Sequence, residues 1–142
     1  MRILVALAMI ASALPVFAAD DDSARITGTV AAPKDLKSFE KLVLEVRLYE
    51  YDPRIADKAA DLVDKLEVKN FSHTEGKETV ETIELGAKAK LKPGKSYYVT
   101  VFVLDGKDRT HIGDLAHAKG FAKVLTNGEP REIIGTLRSV KK

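Results

Sequence analysis

The stretch RTHIGDLAHAKG, residues 109–120, places His111 and His117 six positions apart, with Asp108 and Asp114 alongside. They are two of the three histidines in the chain, the third being His73. Imidazoles beside a carboxylate suggest metal ligation through His111, His117, His73 and Asp114. A zinc site needs three or four ligands converging as a tetrahedron, and ligand pairs on a helix stand three or four residues apart. On an uninterrupted strand, six residues span about 20 Å at a rise of ~3.3 Å each. The four residues therefore form a site only if the segment IGDLA turns the chain back on itself. A copper(I) centre would also want methionine, yet Met1 and Met9 both fall within the first eighteen residues. The simpler reading makes His111 part of a short strand and His117 part of the loop beyond it.

Other chemistry is poorly supplied. The chain has no cysteine, hence no thiolate nucleophile, disulfide or thiolate metal site. No serine stands in a G-x-S-x-G setting. Ser72 adjoins His73, but neighbouring residues on a strand point to opposite faces. The glycines are scattered at turns, and GKDRT lacks the glycines and following helix of a phosphate-binding loop. No catalytic residue and no cofactor follow from these patterns, so the chain reads as a non-enzyme.

The elements that would position any site are mostly strands. Leu42, Leu44, Val46 and Leu48 alternate with Glu45, Arg47 and Tyr49 along 42–51, the period of a half-buried strand. SYYVTVFVLDG, 96–106, is apolar on both faces and reads as a central strand. Weaker strands are predicted over 25–30, 65–71, 78–85, 122–126 and 131–140. Asp105-Gly106 and Asn127-Gly128 are hairpin dipeptides, and Pro93-Gly94 is another turn. The spacing predicts a mainly β domain: an immunoglobulin-like or transthyretin-like antiparallel β-sandwich of about seven strands. Pro93, Gly94 and Tyr97 in LKPGKSYYVTV resemble a tyrosine corner, which gives Tyr97 a structural role.

One short helix is expected near residues 53–66. Asp52 is placed to cap it and Pro53 to occupy its first turn. Ile55, Ala59, Leu62, Val63 and Leu66 would line its buried side. Asp57, Asp61 and Asp64 would form a solvated outer face, with Lys58 and Lys65 nearby.

Residues 1–18 read as a signal peptide: Arg2, then a continuous apolar and small-residue run, then VFA for cleavage after Ala18. The run is shorter than the ~20 residues of a membrane span. Acidic residues follow it in place of a basic flank. Residues 19–24 are expected to be a flexible N-terminal segment and 25–140 a single domain, located in the periplasm or secreted. Cleavage takes Arg2 from 23 Lys and Arg, leaving 22 against 21 Asp and Glu. That balance argues against a nucleic-acid binder.

The order of LVLEVRLYEYDP, LKPGKSYYVTVFVLDGKDRTHIGD, FAKVLTNGEP and a last apolar strand resembles the YbaY-type family. These are small exported β-sandwich lipoproteins related to the lipoprotein chaperones (pilotins) of type III secretion. The resemblance rests on Leu44, Val46 and Leu48, on Pro93-Gly94 with Tyr97, on Asp105-Gly106, and on Val124-Leu125-Thr126 with Gly128. It implies a sandwich and a chaperone-like role. The lipobox cysteine is lacking, so the family's lipid tether does not carry over.

The resulting expectation is a module that binds or stabilises an envelope protein partner, without nucleic acid and without a membrane anchor once the signal is cleaved. Two alternatives stand beside it. One is a periplasmic metal-binding protein using the histidines. The other is a carbohydrate or small-ligand module with Tyr49, Tyr51, Tyr98 and Phe102 as its aromatic platform.

Overall fold

The computed structural model describes residues 22–140, so the expected signal peptide lies outside the described residues. Eight strands follow in order: β1 (Ile26–Ala32), β2 (Phe39–Tyr51), β3 (Asp61–His73), β4 (Thr79–Leu85), β5 (Ser96–Asp105), β6 (Asp108–Leu115), β7 (Lys123–Val124) and β8 (Glu132–Ser139). The domain is thus mainly β.

The strands form one sheet ordered β3-β2-β5-β6-β8-β1-β4, with the two-residue β7 pairing to the start of β5. All pairings are antiparallel except β1 with β8. Gly28 lies at that parallel junction, where a Cβ would overlap the backbone of Ile133. Inward-facing residues alternate along the strands, as Ile26 and Val30 do on β1, Leu44, Val46 and Leu48 on β2, and Val99, Val101 and Val103 on β5. Burying such side chains stabilises a fold by about 1.5–3 kcal/mol each.

The expected two-layer sandwich gives way to a nearly closed, barrel-like sheet. Its first and last strands, β3 and β4, approach each other at both ends. At one end the Asp64 carboxylate accepts the Gly86 N–H at 2.7 Å. At the other, His73 Nδ1 lies 2.9 Å from Thr79 Oγ1. Along the seam lies an open pocket of about 560 Å³ lined by Val63, Asp64, Leu85, Gly86 and their neighbours. A single curled sheet buries one continuous apolar face, where a sandwich would need two separate sheets.

The helix expected near 53–66 is absent. Residues 53–60 form turns, and β3 begins at Asp61. Asp52 does not cap a helix: its carboxylate accepts the Arg54 N–H at 3.0 Å and holds the Arg54 guanidinium at 2.9 Å. From Asp61 onward the chain pairs with β2, Asp61 opposite Glu50 and Leu66 opposite Val46. A helix this short is marginal by itself. The strand instead gains a ladder along β2, and a bulge at Val63 lets Leu62 meet Tyr49.

Candidate functional site

His111 lies on β6 and is buried, its ring centroid 4.7 Å from that of Phe39. Its Nδ1 is 2.8 Å from Thr110 Oγ1. Burial pushes the His111 imidazole below its ordinary value, and the nearby His73 acts in the same direction. His73, also buried, packs on the same phenyl ring at 5.8 Å. Its Nε2 is 3.1 Å from the Leu36 carbonyl, which can only accept, so Nε2 carries the proton and Nδ1 faces the Thr79 hydroxyl.

His117 lies beyond the end of β6, exposed, where Nε2–H donates to the Lys123 carbonyl at 2.8 Å. Asp114 is exposed and paired with Arg138 at 2.7 Å. The fold therefore gathers His73 and His111 around Phe39 and keeps His117 and Asp114 elsewhere. Among the described residues, no three histidine or carboxylate side chains come together to hold a metal ion.

Tyr97 is fully buried at the start of β5. Its hydroxyl accepts the Lys92 N–H at 2.9 Å and donates to Glu50 Oε2 at 3.1 Å. Burial raises the phenol above its usual value. Between Lys92 and Lys95, Pro93 and Gly94 form the turn, with Gly94 at a φ of +74° that suits glycine. Lys92 Nζ reaches the same Glu50 carboxylate at 3.2 Å. This knot ties the 86–95 connection to β2.

The outer face of β2 and β5 carries a different assembly. The alternation that turns Leu44, Val46 and Leu48 inward turns Tyr49 and Tyr51 outward, and Tyr98 stands opposite Tyr49 on β5. Tyr49 and Tyr98 stack at 5.0 Å with 18° between their planes. Phe121, from the loop before β7, packs on Tyr98 at 4.4 Å and meets Tyr51 edge-on at 5.7 Å. Burial raises the Tyr98 phenol, with Tyr49 and Tyr51 adding to the effect. Arg47 donates to the Tyr49 hydroxyl at 3.2 Å and pairs with Glu45 at 2.6 Å, which fixes that end of the stack.

Beside the rings, the 52–60 turns complete a groove of about 320 Å³ lined by Tyr51, Pro53, Ile55, Lys58, Tyr98 and Phe121. Phe121 remains 54% exposed, Ile55 50% and Leu62, opposite Tyr49, 50%. Three of the four aromatics expected to form a platform meet here. Phe102 does not: it lies four residues beyond Tyr98 along β5, opposite Glu45, with the Arg109 guanidinium over its ring at 4.0 Å. Nor is the cluster a flat platform for a sugar, since Tyr49 and Tyr98 present their faces to each other. Sequence reasoning missed Phe121 and placed Ile55 in a helix core. The one signal for Phe121 was a lone aromatic in a polar loop.

Fold and site together define a barrel-like β domain with an exposed aromatic groove and a seam bridged by hydrogen bonds at its two ends. The fold is similar to that of a solved structure, an alternative pilotin from the type II secretion system of Vibrio cholerae. The likeness has a TM-score of 0.55 and 18% identity, and covers 83% of this chain and 97% of that one. No protein-family model matches the chain, and no curated protein compared with it does either.

Proposed function

We propose that this chain is an exported, non-enzymatic module that holds or stabilises a protein partner in the bacterial envelope. The observation that carries this reading is the linked cluster of Tyr49, Tyr51, Tyr98 and Phe121 on the surface, extended by Ile55 and Leu62. Contiguous exposed apolar surface of this kind marks interaction sites, and tyrosine and phenylalanine are enriched in protein interfaces. The likeness in fold to a secretion pilotin, and the resemblance to YbaY-type proteins, support the same reading. So does the reading of residues 1–18 as a signal peptide.

The test is affinity capture from envelope extract with the purified wild-type chain and with a Tyr98→Ser/Phe121→Ser variant. The wild type should retain a defined protein that the folded variant releases. Identical capture profiles for the two would refute the reading.

A further inference from the structure

We propose that the groove takes a protein segment that combines apolar side chains with carboxylates. This rests on the partner-binding reading above and adds the chemistry of the partner. It starts from an asymmetry that the near-neutral whole chain conceals. Segments 86–95 (GAKAKLKPGK) and 116–123 (AHAKGFAK) hold six lysines and no aspartate or glutamate. The pairing brings the Lys95 end of the first and the Lys123 end of the second beside the aromatic cluster, while Lys88 and Lys90 lie toward the β3–β4 seam and Ser23, and Lys92 is held by Glu50. Tyr51 is opposite Ser96, which follows Lys95 directly, and Tyr98 is opposite Lys123.

Lysines therefore fringe the rings on several sides. Lys123 shares the outer face with Tyr98, Lys119 lies two residues before Phe121, and Lys58 lines the groove itself. Lys119 and Lys123 are exposed and make no ion pair among the described residues. The nearby carboxylates are largely committed. Asp52 is held by Arg54, and Asp61 stands 3.9 Å from Lys58, which leaves Asp57 as the exposed acid of the loop. Unpaired cations around an apolar floor attract anionic groups and orient them, while the floor supplies contact area.

An anionic membrane surface offers the same charge. The shape favours a protein segment, because Tyr51, Tyr98 and Phe121 line a shallow groove against the 52–60 turns and pack on one another. A membrane-inserting loop would project its apolar side chains outward.

The experiment is selection of random peptides displayed on phage against the full chain, in parallel with a Lys119→Glu/Lys123→Glu variant and the Tyr98→Ser/Phe121→Ser variant. Circular dichroism of each variant confirms folding. Enriched peptides should carry aspartate or glutamate next to large apolar residues. A synthetic peptide of the enriched sequence should bind the charge-reversed variant at least about tenfold more weakly, and rising salt should weaken its binding to the wild type.

Apolar peptides with no acidic bias, lost only with the aromatic variant, would overturn the charge inference and leave the partner reading standing. Enrichment equal to that on the aromatic variant would overturn both. Sedimentation with phosphatidylglycerol/phosphatidylethanolamine vesicles, abolished by Lys119→Glu/Lys123→Glu in the absence of selectable peptides, would overturn the inference in favour of a membrane surface.

Discussion

Phe39 and Tyr51 mark the two ends of β2, and each collects rings from neighbouring strands. Around Phe39 stand Phe71 and His73 from β3 and His111 from β6, at centroid distances of 5.5, 5.8 and 4.7 Å. Around Tyr51 and its neighbour Tyr49 stand Tyr98 from β5 and Phe121 from a loop. The distances are alike, but the surroundings differ. The partners of Phe39 are buried, with both ring nitrogens of His73 and Nδ1 of His111 within hydrogen-bond distance of groups in the fold, whereas the Tyr51 cluster opens on water and ends in the half-exposed Phe121. The comparison teaches that ring clustering alone does not reveal a site. Exposure and uncommitted edges distinguish a candidate interaction surface from a cluster that holds the barrel together.

The largest effect is expected at the Phe39 end. Phe39→Ala removes a ring shared by three others and should destabilise the domain by about 2–4 kcal/mol in urea unfolding, slightly below the range for fully buried phenylalanine. Partner capture should survive under conditions where the variant is folded. A loss of capture with little loss of stability would reverse the roles assigned to the two clusters.

A smaller effect should come with acid. The folded-state His111 imidazole lies below its ordinary value of 6.5, so below about that pH the unfolded chain binds more protons than the folded one. The stability associated with neutral His111 is complete above 6.5 and is lost as pH falls through the folded-state value. His111→Phe should flatten this part of the stability–pH curve, measured by thermal unfolding from pH 7 to pH 5. An unchanged slope would mean that His111 titrates freely and that the cluster is open to water.

The smallest effect on stability belongs to the Tyr51 end. Phe121→Ser should alter unfolding free energy by no more than about 0.5 kcal/mol, as for most surface substitutions. It should nonetheless weaken binding of any captured partner. A destabilisation comparable to that of Phe39→Ala would make Phe121 a structural residue and erase the contrast.

Much of the strand content was legible beforehand. The alternation of Leu44, Val46 and Leu48, and of Val99, Val101 and Val103, places these residues in the core because a strand turns every second side chain the same way. The helix expected over 53–66 shows the limit of such reasoning. Ile55, Leu62 and Leu66 fit a helical period, but the free edge of β2 offered this stretch a ladder, and no local pattern records that offer. The candidate site was partly legible. Tyr49, Tyr51 and Tyr98 stood out as outward-facing rings, while Phe121 joins them only because β7 pairs with Tyr97 and Tyr98.

By itself, then, the sequence determined most of the segments that become strands and which of their side chains are apolar, because these properties depend on neighbours two residues apart. It also determined that cysteine chemistry is closed to the chain. Tertiary structure decided the rest: that one sheet curls toward closure, that Asp64 meets Gly86 across the seam, and that His111 is sealed against Phe39 while His117 is left at the rim. It also set lysines from two distant segments around one aromatic groove. Each of these depends on contacts between residues far apart in the chain, formed only when the whole apolar face is buried at once.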